Sequence, residues 1–278
     1  MTPPARHPDP LIITVAPNGA YKTHEQHPAV PLTAAALADT AKACLEAGAA
    51  MLHMHVRRPD GCHLLDAQAY REATTAVRQA VGRQLVVQIT TEAAKVYEPA
   101  AQMAVVREVV PEAVSVGLRE LHVPAVSEAD LGGFFQWLAE HRVMTQVILY
   151  DEADVRDWQD LRRRGVIPEA RWFLLFVLGR YSAGQTSSPT DLLPFLQAHD
   201  GAHPWAMCAF GAQEHACALA AAALGGHVRV GFENNLLLRD GGVAPDNAAL
   251  VDQVAAGAQV LGRPLATADQ VRARFSAD

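Results

Sequence analysis

The sequence has little positive charge and lacks the features of a secreted or membrane-spanning chain. Its 278 residues include 23 Lys and Arg against 30 Asp and Glu, a formal net charge of -7. Because nucleic acids and anionic membranes bind positive surfaces, this balance argues against both as partners. The stretch MTPPARHPDP has no long apolar segment, and no later stretch offers about 18 uninterrupted apolar residues. These absences predict a cytoplasmic protein that acts on small molecules.

Motifs built on cysteine or on clustered glycine are also missing. The four cysteines have no CxxC spacing, which suits a reducing cytoplasm. No GxGxxG follows the first apolar run, so the usual dinucleotide-binding form of an open, doubly wound sheet has no support. No linker rich in Pro, Gly or Ser divides the chain. We therefore expect one domain over residues 1–278, with the open sheet as the alternative fold.

Short apolar runs alternate with longer helical patterns along the whole chain. Half of the residues are hydrophobic, which is enough to build a large core. Thr33 is placed to cap the first helix and Gly48 to end it. The runs interpreted as strands are 11–15, 51–56, 85–89, 113–116, 143–149, 172–178, 205–208 and 228–231. This number of strand–helix units predicts an α/β fold of the closed (β/α)8 type, the TIM barrel.

Two histidines in the second run give the strongest local signal. Alternate side chains of a strand face the same side, so His53 and His55 should both enter the barrel. They would lie near its carboxyl-end rim, where this fold carries its reactive residues. Two imidazoles in a dry interior need polar partners, and a divalent metal is one such partner. A pair of core histidines bonded to neighbours is the alternative.

A third metal ligand is expected from the last predicted strand, which neighbours the first when the barrel closes. Glu233 follows this strand, and a carboxylate beside two imidazoles makes the donor set of a catalytic metal site with positions left for substrate. Arg229, within the strand, offers a guanidinium that matches a carboxylate. A simple ion pair between Glu233 and Arg229 is the alternative.

Further polar residues reach the same rim by their position beside predicted strands. The type of these residues is not informative, because such residues commonly turn the chain or cap a helix. Only their position at the rim suggests contact with substrate. They are Asn18, Gly19 and Tyr21 after the first strand, Thr90 and Glu92 after the third, and Ser115, Arg119 and Glu120 around the fourth.

Taken together, several motifs resemble the β-keto acid cleavage enzyme family over most of the chain. The matching segments are NGA (18–20), HPAVPLT (27–33), CLEAGA (44–49), HMHVR (53–57), VQITT (87–91), PEAVS (111–115), FVLG (176–179), GGHVRVGFENN (225–235) and GRPLAT (262–267).

The resemblance implies a (β/α)8 barrel that holds a divalent metal, usually zinc, through His53, His55 and Glu233. It implies a reaction in which a β-keto acid condenses with acetyl-CoA and the adduct is cleaved to acetoacetate and a new acyl-CoA. A metal that chelates the keto and carboxylate oxygens lowers the cost of the enolate that attacks the thioester. The resemblance also implies a homo-oligomer, for example a tetramer.

Residue by residue, the same resemblance assigns further roles. Arg229 matches the family's arginine, and Thr90 and Ser115 match its two active-site hydroxyl positions with conservative changes. Asn234 stands where better-known members carry the aspartate that helps to move the proton. An amide cannot act as a carboxylate base. The resemblance thus leaves the proton acceptor of this chain unassigned.

Other departures indicate a distinct subgroup. Tyr21 replaces an acidic residue that is associated with an amino-bearing substrate, so a cationic substrate tail is disfavoured. Residues 91–93 are TEA where TGG is usual, and Ala212 replaces an arginine. We predict Glu92 or Glu120 as the replacement base, because both should lie near the rim.

Three other functions are alternatives to this interpretation. A metal-dependent aldolase or acyl-CoA lyase on the same barrel would form the enolate without acyl transfer, and acetyl-CoA dependence would separate it from the first interpretation. Amidohydrolases also begin with HxH, but their later strand-end histidines and aspartate have no match here. A non-catalytic metal- and ligand-binding homologue would have lost its activity through Asn234.

Overall fold

Parallel strands close into a barrel, and a helix follows each of them. The computed structural model describes residues 9–275, so the first eight residues of the N-terminal stretch examined above lie outside the described residues. In chain order the strands are β1 (Ile13–Val15), β2 (Met51–Met54), β3 (Val56–Arg57), β4 (His63–Leu64), β5 (Val86–Thr90), β6 (Ala113–Gly117), β7 (Met144–Leu149), β8 (Phe173–Leu178), β9 (Trp205–Ala209) and β10 (His227–Val230). The barrel order is β1-β10-β9-β8-β7-β6-β5-β2, while β3 and β4 form a separate antiparallel hairpin.

The barrel is closed by β1, which pairs in parallel with β10 on one side and β2 on the other. Ile13 lies opposite Val228, and Thr14 lies opposite Met51. The predicted (β/α)8 barrel is therefore confirmed, and the open doubly wound alternative is wrong. The predicted strands agree with the observed ones to within two residues at each end.

The helices surround the barrel, and α1 begins and ends where predicted. The Thr33 hydroxyl accepts the N–H of Ala36 at 3.2 Å, and Gly48, with φ +109°, follows the C-cap residue. No helix within residues 9–275 is both long and apolar enough to cross a membrane. The helices are α1 (Ala34–Glu46), α2 (Ala67–Val81), α3 (Pro99–Val109), α4 (Leu118–Leu121), α5 (Glu128–Glu140), α6 (Glu152–Arg163), α7 (Leu193–Ala198), α8 (Glu214–Ala223), α9 (Asn247–Val260) and α10 (Ala268–Phe275).

The run 51–56 is not one strand, which corrects the prediction that His53 and His55 share a continuous strand. β2 ends at Met54, and the chain then turns into the β3–β4 hairpin. At the break, the Asn18 side chain bonds both backbone groups of His55: its Nδ2 donates to the carbonyl at 2.8 Å and its Oδ1 accepts the N–H at 3.2 Å. A side-chain amide thus replaces the strand ladder at this residue.

The barrel interior changes from apolar to polar along each strand. Met51 and Val86 are fully buried near the amino end of the interior. Side chains two residues further along a strand face the same way, and here they are His53 and Gln88. The polar interior layer therefore lies at the carboxyl-end rim, above an apolar floor.

Candidate active site at the carboxyl ends of the strands

Three side chains from distant parts of the chain converge at this rim. His53, His55 and Glu233 offer ligand atoms that all lie within 4.8 Å of one another. The Nε2 atoms of the two histidines are 3.2 Å apart. Oε2 of Glu233 lies 3.4 Å from Nε2 of His53 and 3.6 Å from Nε2 of His55. Both imidazoles are buried, and 13% of the Glu233 side chain is exposed.

These distances suit a single shared cation. Two nitrogens bound to a tetrahedral ion at about 2.0–2.1 Å are roughly 3.3 Å apart. Nδ1 of His53 donates to Oε1 of Gln88 at 2.8 Å, so its unprotonated Nε2 faces the other two groups. Oε2 of Glu233 is buried with no hydrogen-bond partner among the described residues. Two imidazoles and a carboxylate form a donor set that fits a divalent ion such as zinc.

The three groups are also in the protonation states that bind metal. Burial lowers the pKa of His55, and it lowers that of His53 further with the help of the Arg229 charge. Burial alone would raise the pKa of Glu233, but the Arg229 charge holds it well below its usual range. Near neutral pH the site therefore consists of neutral imidazoles and a carboxylate, which are the ligand forms.

The loop after β1 supports the cluster. Asn18 fixes the backbone of His55, as described above, and its Nδ2 also donates to the carbonyl of Pro31 at 2.9 Å. Gly19 has φ +59°, and a Cβ on it would lie 2.6 Å from Cγ of Glu233. Only glycine permits this approach. The predicted pocket residues Asn18 and Gly19 thus also position two of the three groups.

Arg229 combines one ion pair with two free donors. Its Nη2 donates to Oε1 of Glu233 at 3.0 Å, so the ion pair that was the alternative interpretation forms alongside the cluster. Its Nε and Nη1 are buried without a partner within residues 9–275. Leaving such donors unpaired is costly, and a planar guanidinium matches a carboxylate. The geometry suits a second, incoming carboxylate.

An open cleft leads to the cluster. It has a volume of about 560 Å³, in the usual range of small-molecule sites. A small inner cavity of about 10 Å³ continues from it and is lined by His53, Thr90 and Arg229 among others. The residues that line both spaces are Glu92, Arg180, Phe210 and Glu233.

The structure distinguishes the two candidate bases. Burial, together with the nearby Glu120 charge, raises the pKa of Glu92 to about 7, and Glu92 lines both the cleft and the inner cavity. Burial also raises the pKa of Glu120. However, its Oε2 accepts hydrogen bonds from Nε2 of Gln102 at 2.7 Å and from the N–H of Ala93 at 3.2 Å. Glu120 also lines neither the cleft nor the inner cavity. Glu92 is therefore the carboxylate open to a ligand.

The two predicted hydroxyls lie next to each other beneath Glu92. Oγ1 of Thr90 accepts a hydrogen bond from the N–H of Glu92 at 3.0 Å. The Ser115 hydroxyl lies 3.5 Å from the same Oγ1 of Thr90. Thr90 lines the inner cavity, whereas Ser115 is fully buried behind it. Asn234 is 3% exposed, and both polar atoms of its side chain lack a partner in the part of the chain that the structure describes.

The remaining predicted residues take separate positions. Tyr21 lines the cleft and is 53% exposed. Arg119 lines a different cavity of about 270 Å³ and donates to Asp151 at 2.7 Å and to Asp154 at 3.2 Å. Its donors are thus engaged by neighbouring carboxylates, outside the cleft that contains Glu233.

Three residues of the site were not predicted. Gln88 orients His53, Arg180 lines both spaces, and Lys22 donates from Nζ to the carbonyl of Glu233 at 2.7 Å. The signals were present in the sequence: Gln88 is an inward polar residue of a predicted strand, and Arg180 follows the end of another.

The Gln88 contact predicts a change in metal affinity. Gln88→Leu should weaken binding of a divalent ion roughly 10- to 100-fold, because His53 loses the acceptor that fixes its tautomer. Competition with a chromogenic chelator measures this affinity. Gln88→Glu restores an acceptor and should recover most of it, and an unchanged affinity in the leucine variant would contradict the orienting role.

A closed (β/α)8 barrel whose carboxyl-end rim gathers titratable and unpaired polar groups in one cleft is the architecture of a barrel enzyme. Comparison with known families makes this specific. The chain belongs to the β-keto acid cleavage enzyme family, whose model matches residues 10–276. The resemblance of its motifs to this family is confirmed.

Curated relatives agree over nearly the full length. The chain is 30% identical to the 3-keto-5-aminohexanoate cleavage enzyme of Fusobacterium nucleatum, over 94% of this chain and 96% of that one. It is 28% identical to the 3-oxoadipate:acetyl-CoA acetyltransferase of Cupriavidus necator, over 95% and 94% of the two chains. Both names describe enzymes.

Among solved structures, the fold is similar to that of ObcA. The apo structure of ObcA aligns with a TM-score of 0.72 at 16% identity. The alignment covers 89% of this chain and 65% of the longer ObcA chain, so this chain spans less than two thirds of that protein. At this identity the similarity shows the barrel fold alone.

Proposed function

We propose that this enzyme condenses a β-keto acid with acetyl-CoA and releases acetoacetate and a new acyl-CoA. We propose further that it uses a divalent metal, for which zinc is the first candidate, held by His53, His55 and Glu233. The observation that carries the proposal is the shared position of this cluster, the free donors of Arg229 and the carboxylate of Glu92 around one small cavity. The relative named as an acetyl-CoA acetyltransferase supports acetyl-CoA as the co-substrate.

Binding and activation of the keto acid are shared between the metal site and Arg229. A divalent ion, when bound, supplies Lewis-acid polarisation of a substrate oxygen. Arg229 holds the substrate carboxylate through Nε and Nη1, while its Nη2 stays on Glu233. This arrangement presents the carbon between the keto and carboxyl groups to the remaining residues of the inner cavity.

Glu92 takes the proton, in place of the amide of Asn234. It removes a proton from the carbon between the two carbonyl groups, and the resulting carbanion attacks the acetyl thioester and expels CoA thiolate. The thiolate then attacks the original keto carbon. The bond between that carbon and the former nucleophile breaks, and Glu92 returns its proton to give acetoacetate. The products balance the two reactants, and Glu92 ends the cycle ionised.

The two hydroxyls act through Glu92. Thr90 fixes the Glu92 backbone by its 3.0 Å hydrogen bond, and Ser115 lies behind Thr90. We assign both to positioning of the base. Asn234 supplies an amide rather than a proton acceptor. Tyr21, in the cleft wall, contacts the substrate tail.

The wider setting forms part of the same proposal. The cysteine pattern and the absence of a long apolar segment support a cytoplasmic location, and the family resemblance supports a homo-oligomer such as a tetramer. Small-molecule substrates suit the net charge of -7, which disfavours nucleic-acid and anionic-membrane partners.

An isotope experiment tests the function. The zinc-loaded enzyme is incubated with acetyl-CoA labelled in the acetyl group and a panel of β-keto acids, and the products are analysed by mass spectrometry. We expect the label in the acetyl half of acetoacetate and an unlabelled new acyl-CoA. Products that form without acetyl-CoA would favour a lyase instead, and metal binding without any product would favour a non-catalytic protein.

A further inference from the structure

Arg180 occupies the junction between the cleft and the inner cavity. It follows β8 and is one of the residues that line both spaces. Its guanidinium lies over two aromatic rings. The central guanidinium carbon is 5.2 Å from the centroid of the Tyr21 ring and 5.4 Å from the centroid of the Phe210 ring. Cation–π contacts with two rings hold the group in place without occupying most of its N–H donors.

The nearest anionic partner of Arg180 is weakly engaged. Oε1 of Glu92 is 3.5 Å from its Nη2, which is long for a charge-assisted hydrogen bond. Because burial raises the pKa of Glu92 to about 7, this carboxyl is only partly ionised near neutral pH. Arg180 therefore keeps the capacity to bind a stronger acceptor.

The charges around Arg180 favour an anion over a cation. Lys22 and Lys95 line the same cleft. Of the two carboxyl groups that line the cleft, Glu233 is paired with Arg229. The lining then holds one other carboxyl group, Glu92, against the three cationic groups of Arg180 and the two lysines. An anionic group that enters the cleft therefore meets an excess of positive charge.

We propose that Arg180 binds a second carboxylate on the substrate, so that the preferred β-keto acid is a 3-oxo dicarboxylic acid; this inference rests on the proposed function. The carboxylate next to the reacting carbon binds Arg229, and the distal one binds Arg180. A phosphate of CoA is the other possible anion. However, it lies at the far end of the pantetheine arm from the thioester, whereas Arg180 lines the cavity that His53 also lines.

The test compares two substrates of equal chain length, a 3-oxo dicarboxylic acid and the corresponding 3-oxo monocarboxylic acid. For each we measure kcat/KM of the zinc-loaded enzyme with saturating acetyl-CoA. The native enzyme should prefer the diacid. Arg180→Met should lower the diacid-to-monoacid ratio roughly 10- to 100-fold, the effect of losing charge-assisted hydrogen bonds. Arg180→Lys, which keeps the charge, should retain part of the preference.

Arg163→Met is the matched control, because Arg163 is a surface residue of α6 whose side chain is 74% exposed. It should leave the ratio unchanged. A native preference for the monoacid, or an equal loss for both acids in Arg180→Met, would overturn the inference while the acyl transfer itself stands. An increased KM for acetyl-CoA with an unchanged ratio would assign Arg180 to a CoA phosphate instead.

Calorimetric titration of the diacid into the zinc-loaded protein without acetyl-CoA gives a readout that does not need turnover. Weaker binding to Arg180→Met than to the native protein supports the subsite, and equal binding rejects it. If no β-keto acid is turned over, the proposed function fails, and this titration still decides the role of Arg180.

Discussion

Replacing His55 with alanine is expected to lower kcat/KM by at least ~10³-fold, because the cluster loses one of its three ligands and with it several kcal/mol of charge stabilisation in the transition state. The variant should also fail to retain a stoichiometric divalent ion. Nε2 of His55 lies 3.2 Å from that of His53, so its removal leaves the shared position with one imidazole nitrogen fewer.

Metal content after desalting, measured by plasma mass spectrometry, and steady-state turnover check this result together. His203→Ala is the control. This histidine is also buried, but it precedes β9 at the amino end of the barrel, with its ring 6.0 Å from that of Trp158. The control should keep its metal and its turnover per folded molecule. Near-native activity in a metal-free His55 variant would contradict the proposed site.

Glu92→Gln should lower turnover by roughly 10²- to 10⁴-fold, the usual contribution of a positioned general base. Glutamine keeps the shape of the side chain and removes its ability to accept the proton. The expected loss is in kcat, with little change in metal content, because Glu92 is not part of the ligand cluster. Comparing kcat with metal stoichiometry therefore separates this variant from a ligand variant.

The pH dependence follows from the same residue. A base works in its ionised form, and burial raises the pKa of Glu92 to about 7. The kcat/KM of the native enzyme should therefore fall as the pH drops through 7, and this acid limb should be absent from the residual activity of Glu92→Gln. A native profile that is flat through this range would exclude Glu92 as the base.

Two further variants complete the comparison. Glu120→Gln should cost less than Glu92→Gln, because Glu120 is bonded to Gln102 and lines neither space. Glu140→Gln, at the exposed end of α5, should have no effect. A larger loss in Glu120→Gln than in Glu92→Gln would exchange the two assignments.

The barrel could be predicted from sequence because its signals are local. A run of apolar residues between turn signals defines a strand wherever it pairs, and β5 to β9 appear within one residue of their predicted limits. Closure then brings the end of the chain beside its beginning. That rule alone placed Glu233 near His53, and the structure brings their ligand atoms to 3.4 Å.

Other features depend on contacts between distant segments. The break at His55 is made by the Asn18 amide, 37 positions earlier, which the strand pattern cannot reveal. Glu92 and Glu120 look equivalent along the chain, and they are distinguished by the contacts of Glu120 with Gln102 and Ala93 and by the position of Glu92 in the cleft wall. The two rings beside Arg180 come from different loops. The sequence therefore indicated Tyr21 as a pocket residue but not its contact with Arg180.

The three residues of the proposed metal site are added at different times during synthesis of the chain. During translation, His53 and His55 leave the ribosome long before Glu233, which lies beyond the last barrel strand. A partly made chain therefore has an incomplete ligand set and holds an ion weakly. Gly19 closes against Glu233 only when β10 docks beside β1. A chain that stops before β10 therefore lacks one of the three groups of the cluster.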